Sequence, residues 1–336
     1  MKQTLFIFLL LCSGKLWAIS PIEQGVRLFN QKEYQQAQQI FQQQSGQGSA
    51  HATFWLGVTQ YKNRQQFEAG ETFLKAANMG DPWAMGVLSG YEYYVNNPCG
   101  FLGWPCDDKW RQLAIEGWKK EAEKGNGKAL LQLQFFTNQW RNYVPVLGRY
   151  LIDKKYIEAL ESGGFNASYY LTQFSDVPTD EKIQYLRVAA NHGYAPAMMS
   201  LYYYLLEPDT LDEALEWNLK AIKLGYPDAA TSLYYAYSQG KKDSSGKMFI
   251  HPDVKKAYYY NRLSGALGGE EKKAYSITQE HILDEYGSPL ADEDGRPVMK
   301  DLITKEEQAE LDKQVAEFVK DIKPNMFLDE TSLELF

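Results

Sequence analysis

The chain has 336 residues, 44% of them hydrophobic and 14% aromatic, and its formal net charge is −8. This length suffices for a large core or for a long array of repeats. Its lysines and arginines are not clustered as a nucleic-acid footprint requires, so nucleic-acid binding is not expected. The negative charge is concentrated at the end of the chain, because residues 270–336 contain 18 acidic and 8 basic residues.

Residues 1–18 have the pattern of a secretory signal peptide. Lys2 precedes an apolar run over residues 5–12, and Ala18 ends a plausible cleavage site. The run is shorter than the roughly 20 residues that span a bilayer, and no later segment is apolar enough to do so. We therefore expect an exported protein without an integral membrane segment. Lipidation of Cys12 is the alternative, although Leu11 stands where a small residue is expected.

Beyond the N-terminal segment, glycines recur about 30 to 45 residues apart in one local pattern, and such a period is typical of a solenoid. The glycines that share the pattern are Gly46, Gly80, Gly125, Gly163, Gly193, Gly225 and Gly268. The fourth residue after six of them is an alanine, namely Ala50, Ala84, Ala129, Ala167, Ala197 and Ala229. Lys272 stands at that position after the last glycine, and an aromatic residue precedes most of the glycines by seven or eight positions.

Each part of this pattern has a physical reason. A glycine directly after a helix accepts the left-handed conformation that ends it. Pro82 and Pro227 suit the first turn of the helix that follows. Alanine lets a neighbouring helix approach closely, and the aromatic residue fills the space between layers. The pattern therefore predicts stacked pairs of antiparallel helices, with each glycine turn joining one pair to the next.

The segments WNLKAIKLGYPDA (217–229) and YLRVAANHGYAPA (185–197) resemble the Sel-1-like repeat, a relative of the tetratricopeptide repeat. The resemblance extends over residues 21–275 and implies an all-α fold, an α/α solenoid of about seven helix pairs. Longer loops over residues 98–107 and 240–252 replace the short loop within a pair. We assign residues 19–286 to the solenoid and residues 287–336 to an acidic C-terminal extension.

The extension contains a predicted amphipathic helix over residues 304–323. Thr304 and Glu307 have the spacing of a capping box, and Leu311, Val315 and Phe318 fall on one face of the helix. Two interpretations remain open at this point. The helix caps the open end of the solenoid, or it docks a partner.

No group of residues has the pattern of a catalytic or metal site. The four histidines lie in different repeats without a second ligand nearby, at His51, His192, His251 and His281. Ser244 and Lys247 fit the motif Ser-x-x-Lys, but its companion motifs are missing. We therefore predict a protein that is not an enzyme and that binds no metal or cofactor.

Cys99 and Cys106 are the two cysteines that follow the predicted signal peptide. In an oxidising compartment an even number of cysteines favours a disulfide. The rival interpretation, a zinc site, is weak because no histidine lies near the two thiols. We predict that a disulfide closes this loop.

Tyrosines occur in runs, among them residues 202–204 and 258–260. Successive residues on a helix point about 100° apart, so three in a row cannot all face the core. Tyrosines left on the surface suit protein binding, because this residue type dominates binding hot spots. We predict that a protein partner contacts the following residues: Tyr203, Tyr235, Tyr258 and Tyr259, with Asp292, Glu293 and Asp294 supplying electrostatic attraction.

The Sel-1-like resemblance also suggests a function. Periplasmic proteins with such repeats include immunity proteins that neutralise phospholipase effectors of the type VI secretion system. We therefore expect a periplasmic protein that binds and neutralises a secreted phospholipase. Two alternatives are a scaffold or regulator of an envelope complex, and an enzyme whose activity depends on Ser244 or Lys247.

Overall fold

A computed structural model describes residues 19–90, 98–137 and 145–333. The predicted signal peptide, and with it Cys12, lies outside these residues. The described chain is an all-α solenoid, as predicted, and no helix in it is both long enough and apolar enough to cross a bilayer. Its helix pairs are α1 (Pro21–Asn30) with α2 (Tyr34–Gly46), α3 (Ala50–Lys62) with α4 (Gln66–Asn78), α5 (Pro82–Val87) with α7 (Lys109–Glu123), α8 (Gly127–Thr137) with α9 (Pro145–Glu161), α10 (Ala167–Gln173) with α11 (Thr179–Asn191), α12 (Ala195–Tyr204) with α13 (Leu211–Lys223), and α14 (Pro227–Gln239) with α15 (Val254–Ala266).

The turns between pairs are made by glycines with positive φ. The residues are Gly48, Gly80, Gly125, Gly163, Gly193, Gly225 and Gly268, with φ between 81° and 98°. One predicted position is wrong: Gly46 is the last residue of α2, and Gly48 makes the turn. The alanine four residues after this glycine is Ala52, which is buried, whereas the predicted Ala50 is partly exposed. The first turn is therefore shifted by two residues.

The small and large residues of the repeat meet in the core. The alanines at the other predicted positions are buried: Ala84, Ala129, Ala167, Ala197 and Ala229. Phe73 and Trp118, which precede their turn glycines by seven residues, are buried as well. A Cβ placed on Gly57 would lie 2.9 Å from the ring of Phe73. Small residues on one helix thus leave room for an aromatic ring on the next helix.

Two of the loops within pairs are long. The loop between α5 and α7 contains the one-turn helix α6 (Pro98–Phe101) and a disulfide between Cys99 and Cys106, whose Cα atoms are 5.7 Å apart. The loop between α14 and α15 forms a hairpin of β1 (Lys241–Lys242) and β2 (Met248–Ile250).

An antiparallel arm follows the last pair and the one-turn helix α16 (Tyr275–Thr278). We call residues 279–301 the C-terminal arm; it begins with β3 (Gln279–His281) and ends with β4 (Met299–Asp301). Between the strands lie two turns of the same kind, each opened by an aspartate, Asp284 or Asp292. The Oδ1 of each aspartate accepts hydrogen bonds from the backbone two and four residues further on. The predicted domain boundary after residue 286 falls inside this arm.

The helix α17 (Lys305–Phe318) caps the last pair. It starts with the predicted capping box of Thr304 and Glu307 and packs against α15. Val315 is buried, and Asp312 accepts hydrogen bonds from Tyr258 at 3.1 Å and from Arg262 at 2.8 Å. The first of the two interpretations, a capping helix, therefore describes its position.

The two ends of the solenoid touch each other. Lys32, in the loop between α1 and α2, donates a hydrogen bond to the carbonyl oxygen of Gly268, in the turn after α15. These residues are 236 positions apart. The stack of pairs therefore curves through a full turn, and its first pair meets its last.

A substitution at the turn after α13 tests how the end of the chain is attached. An alanine Cβ at Gly225 would overlap the carbonyl oxygen of Lys323, whereas one at Gly193 would meet nothing within 4 Å. Both variants strain a left-handed backbone, by about 1–2 kcal/mol. We expect Gly225→Ala to lose a further 1–3 kcal/mol or so, because it also overpacks this contact. Urea unfolding of both variants measures the difference, and equal losses would contradict the contact.

Candidate binding groove on the inner face of the solenoid

The last described residues of the chain lie in a groove formed by the helix pairs. We call residues 325–333 the C-terminal segment. It contacts residues from six of the seven pairs, which we call the inner groove: Asn30, His51, Trp55, Lys128, Asn166, Tyr194 and Tyr226. Nine extended residues reach at most about 30 Å, so these six pairs must converge on the segment. The inner groove is therefore the concave face of the solenoid.

Backbone hydrogen bonds hold the start of the segment. The N–H of Asn325 donates to the carbonyl of Gly225 at 2.9 Å, and that of Met326 donates to the carbonyl of Asn30 at 3.1 Å. The buried side chain of Asn30 then pairs with both backbone groups of Leu328, at 2.6 and 2.9 Å. These contacts read the main chain of the segment and not its side chains.

The carboxylate of Glu330 is enclosed by three donors. Its Oε1 accepts from Trp55 Nε1 and from His51 Nε2, each at 3.1 Å, and its Oε2 accepts from Lys128 Nζ at 2.8 Å. The side chain is only 8% exposed. The first turns of α3 and α8 supply His51 and Lys128, so the positive ends of two helices also face the carboxylate.

His51 lies between two carboxylates. Its Nδ1 is 3.1 Å from Asp81, which also caps α5 by accepting from the N–H of Ala84 at 2.8 Å. Burial alone would lower the pKa of His51, but hydrogen bonds to Asp81 and Glu330 and their charges raise it to about 10. The imidazole is therefore held as a cation. Because the side chain is 36% exposed, solvent screens part of this interaction.

Lys128 joins Glu330 to Asp329. Its Nζ lies 3.6 Å from Asp329, whose Oδ1 accepts from the N–H and the hydroxyl of Thr331. Burial raises the pKa of the Asp329 carboxyl, and the charge of Lys128 opposes this. Burial likewise raises the pKa of Glu330 in isolation, but His51 and Lys128 bring it well below the ordinary value. Glu330 is thus the better stabilised anion of the two.

The segment also has apolar anchors. The ring of Phe327 stands edge-on to Tyr194 and Tyr226, with centroids 6.2 and 5.8 Å away. Phe327 has a φ of 55°, which a side chain larger than glycine adopts only when its surroundings impose it. Leu333 is buried in the core cluster that contains Trp83. The segment is therefore fixed at both ends and in the middle.

Two of the predicted contact tyrosines form an exposed pair. Tyr203 on α12 is 52% exposed and Tyr235 on α14 is 37% exposed. Each stands ten residues after its turn glycine. The two residues therefore occupy equivalent positions on neighbouring repeats.

The prediction for the other tyrosine pair is wrong in part. Tyr258 is 3% exposed, because α17 covers it. Its hydroxyl group donates a hydrogen bond to Asp312 on that helix. Tyr259 is half-buried and stands edge-on to Tyr260. A partner of this chain does not reach Tyr258 in the folded state.

The predicted acidic residues lie in the second turn of the C-terminal arm. Asp292, Glu293 and Asp294 are all exposed. Asp292 is occupied by the backbone of its own turn, and Asp294 lies 3.7 Å from Arg296. The same arm exposes the apolar side chain of Tyr286, which is 84% accessible.

Sequence reasoning missed the inner groove and misjudged His51. His192 is structural as expected, since its Nδ1 contacts the carbonyl of Val188 at 2.8 Å. The sequence predicts no functional role for His51 either, yet its Nε2 contacts Glu330, which is 279 positions away in sequence. No local pattern reports such a contact. Ser244 and Lys247 lie exposed in the β1–β2 turn, and the described residues contain no metal-binding group of three His, Cys, Asp or Glu.

No family model matches the sequence. An uncharacterized protein of Neisseria meningitidis serogroup B, NMB1327, is 36% identical over 84 residues, which are 25% of this chain and 18% of that protein. The chitin synthase regulator SKT5 of Saccharomyces cerevisiae is 26% identical over 219 residues, 60% of this chain and 30% of that protein. The chain thus spans less than a third of the length of these curated relatives.

Solved structures that are similar to the chain include an SLR-fold antigen, a Sel1 repeat protein and an immunity protein. A protective antigen of uropathogenic Escherichia coli with an SLR fold has a TM-score of 0.43 at 17% identity and covers 86% of this chain, 57% of its own. A Sel1 repeat protein from Oxalobacter formigenes has a TM-score of 0.41 at 22% identity, and the match covers 73% of this chain and 99% of that chain. Immunity protein Pa5087 from Pseudomonas aeruginosa has a TM-score of 0.40 at 20% identity, and the match covers 60% of this chain and 74% of that chain.

The charge of His51 makes stability depend on pH. A group whose pKa is higher in the folded state stabilises that state fully below its unfolded value and loses this effect as the pH rises toward the folded value. For His51 the window runs from pH 6.5 to about 10. We expect the urea midpoint of the wild type to fall as the pH rises across this window. The midpoint of His51→Gln should be lower than that of the wild type at pH 6 and should fall less with pH.

His192→Gln is the matched control, because His192 is exposed and faces no carboxylate of the inner groove. This variant should keep the fall seen in the wild type. A wild-type midpoint that stays level between pH 6.5 and 10 would contradict the charged state of His51.

Proposed function

We propose that this chain is a protein-binding solenoid of the bacterial envelope that acts as an immunity protein and neutralises a secreted phospholipase in the periplasm. The observation that carries the protein-binding part is the exposed pair Tyr203 and Tyr235. Both belong to first helices of neighbouring pairs and repeat at one register. The pair therefore belongs to the continuous surface that stacked repeats offer to a ligand.

Tyrosine in such a position favours a protein as the ligand. Its ring supplies wide contact area with few rotatable bonds, and its hydroxyl group hydrogen-bonds at the edge of the contact. Neither ring is needed to fill the core, because the neighbouring Tyr202 and Leu233 are the buried members of these helices. The exposed rings are thus available to a partner.

The immunity part of the proposal rests on the Sel-1-like resemblance of the sequence and on the predicted signal peptide. Electrostatics supports it, since phospholipases of the D type bind phosphate in a basic pocket. The C-terminal arm carries seven acidic and two basic residues between positions 279 and 301. An exposed acidic arm steers association with a basic partner and suits the entrance of such a pocket.

Deleting the gene tests the proposed function. We expect the deletion strain to be killed by sibling cells with active type VI secretion, and survival to return with the wild-type gene. A plasmid encoding Tyr203→Ala with Tyr235→Ala should protect poorly, since each hot-spot tyrosine contributes about 2 kcal/mol to binding. Survival is counted as colony-forming units after contact.

Tyr150→Ala is the control for this experiment, because Tyr150 is an exposed tyrosine on α9, a second helix of its pair. It should protect like the wild type. Full survival of the deletion strain beside secreting siblings, in a genome without a second copy, would contradict the immunity role. Recovery of a resident envelope complex with the purified protein would identify a scaffold instead.

A further inference from the structure

The C-terminal segment is attached to the solenoid in the manner of a bound peptide. It follows α17 through residues 319–324 and enters the groove from one side. Its contacts in the groove are made by residues of other helix pairs, between 100 and 298 positions away in sequence. The helix pairs also pack directly against one another, so the segment is not their sole contact.

We propose that the inner groove binds an acidic segment of a partner protein, and that the C-terminal segment is a resident occupant which this partner displaces. The required chemistry is that of the occupant itself. It is a segment with an aromatic residue three positions before a glutamate, as in Phe327 and Glu330, whose backbone is left-handed at the aromatic residue and turns over residues 329–332. This goes beyond the proposed function, because it rests on the inner groove and does not depend on the partner being a phospholipase.

The groove has the two parts that recognition of a peptide segment needs. Asn30 and Gly225 pair with the backbone, which provides attraction that does not depend on the side chains of the segment. Side-chain pockets then provide selectivity, as in other modes of peptide binding. Tyr194 and Tyr226 receive the aromatic ring, and the donors on His51, Trp55 and Lys128 receive one carboxylate.

Directed donors, and not an excess of positive charge, select the carboxylate. The basic groups near Glu330 are His51 and Lys128. The acidic groups near it are Asp81, Glu121 and Asp329. Asp81 is used by His51 and by the first turn of α5, and Glu121 accepts from Asn126. The three donors therefore converge on the one position that Glu330 fills.

The contacts of the resident segment are of a kind that can be exchanged. Buried ion pairs seldom stabilise a fold more than apolar side chains of the same volume would. A segment that served only as a permanent plug would be better held by apolar residues. Phe327 also has a left-handed backbone, which is strained for a residue other than glycine. A partner whose chain reaches the same pockets without this strain has an advantage over the resident segment.

The linker to α17 determines how strongly the resident segment competes with a free peptide for the groove. A segment on a short linker has an effective concentration on the order of millimolar at its own site. A free peptide therefore binds the wild-type chain weakly, since the groove is open for only a small fraction of the time. Loosening the resident segment raises this fraction and improves the apparent affinity by the same factor.

The test uses a fluorescein-labelled peptide with the sequence of residues 324–333 and the full chain. Fluorescence anisotropy is measured with the wild type, with Glu330→Gln and with Phe327→Ala plus Glu330→Gln. We expect both variants to bind the peptide at least about tenfold more tightly than the wild type. Glu330→Gln keeps the shape of the side chain. The single variant therefore still tests the proposal if circular dichroism shows that the double variant does not fold.

Two further measurements locate the site. Adding Lys128→Ala to the Glu330→Gln chain should abolish binding, whereas adding Lys155→Ala, at an exposed lysine on α9, should leave it unchanged. A peptide with glutamine in place of its glutamate should not bind either chain. No binding to any variant, or binding that Lys128→Ala leaves unchanged, would overturn the proposal. A wild-type dimer by light scattering that added peptide converts to monomer would overturn it in favour of a second copy as occupant.

Discussion

The left-handed glycine at the end of each helix pair is the constraint on which this structure depends. From Gly48 to Gly268 it ends one helix and sets the direction of the next, so every pair leaves its neighbour in a similar orientation. Alanine four residues later lets the helices meet closely. Repetition of one small rotation then produces the curvature that brings Lys32 to Gly268. The inner groove exists because the turns repeat, and five of its seven residues lie one to three positions after a turn glycine: His51, Lys128, Asn166, Tyr194 and Tyr226.

The C-terminal segment converts this curved stack into a closed body. Asn30 of the first pair and Gly225 before the seventh both bind its backbone, so the segment links the two ends across the middle. Its two carboxylates meet His51 and Lys128 at helix starts, where the peptide dipoles favour negative charge. The same contacts that join the ends also fill the concave face. Shape and occupancy of the groove are therefore coupled.

The repeat register could be predicted from sequence because it is local. Glycine, alanine and aromatic residues at fixed spacing report a turn and the helices beside it, whatever the rest of the chain does. The first turn was misplaced since Gly46 and Gly48 are two residues apart, and only the backbone conformation distinguishes them. Tyr258 was misjudged because its cover, α17, comes from 54 positions away. The pairing of His51 with Glu330 was out of reach for the same reason, as it arises from curvature summed over all the repeats.

The contact between Asn30 and Leu328 also has a consequence for how the molecule is made. Synthesis proceeds from the first helix pair, and the residues that complete this pair's surroundings are 298 positions behind it. Loops of that length close late, after local pairs have formed. Every newly made copy therefore passes through a stage in which its repeats are assembled and its groove is open. Whatever protein meets the chain during that interval encounters an unoccupied surface, which the C-terminal segment covers in the folded structure.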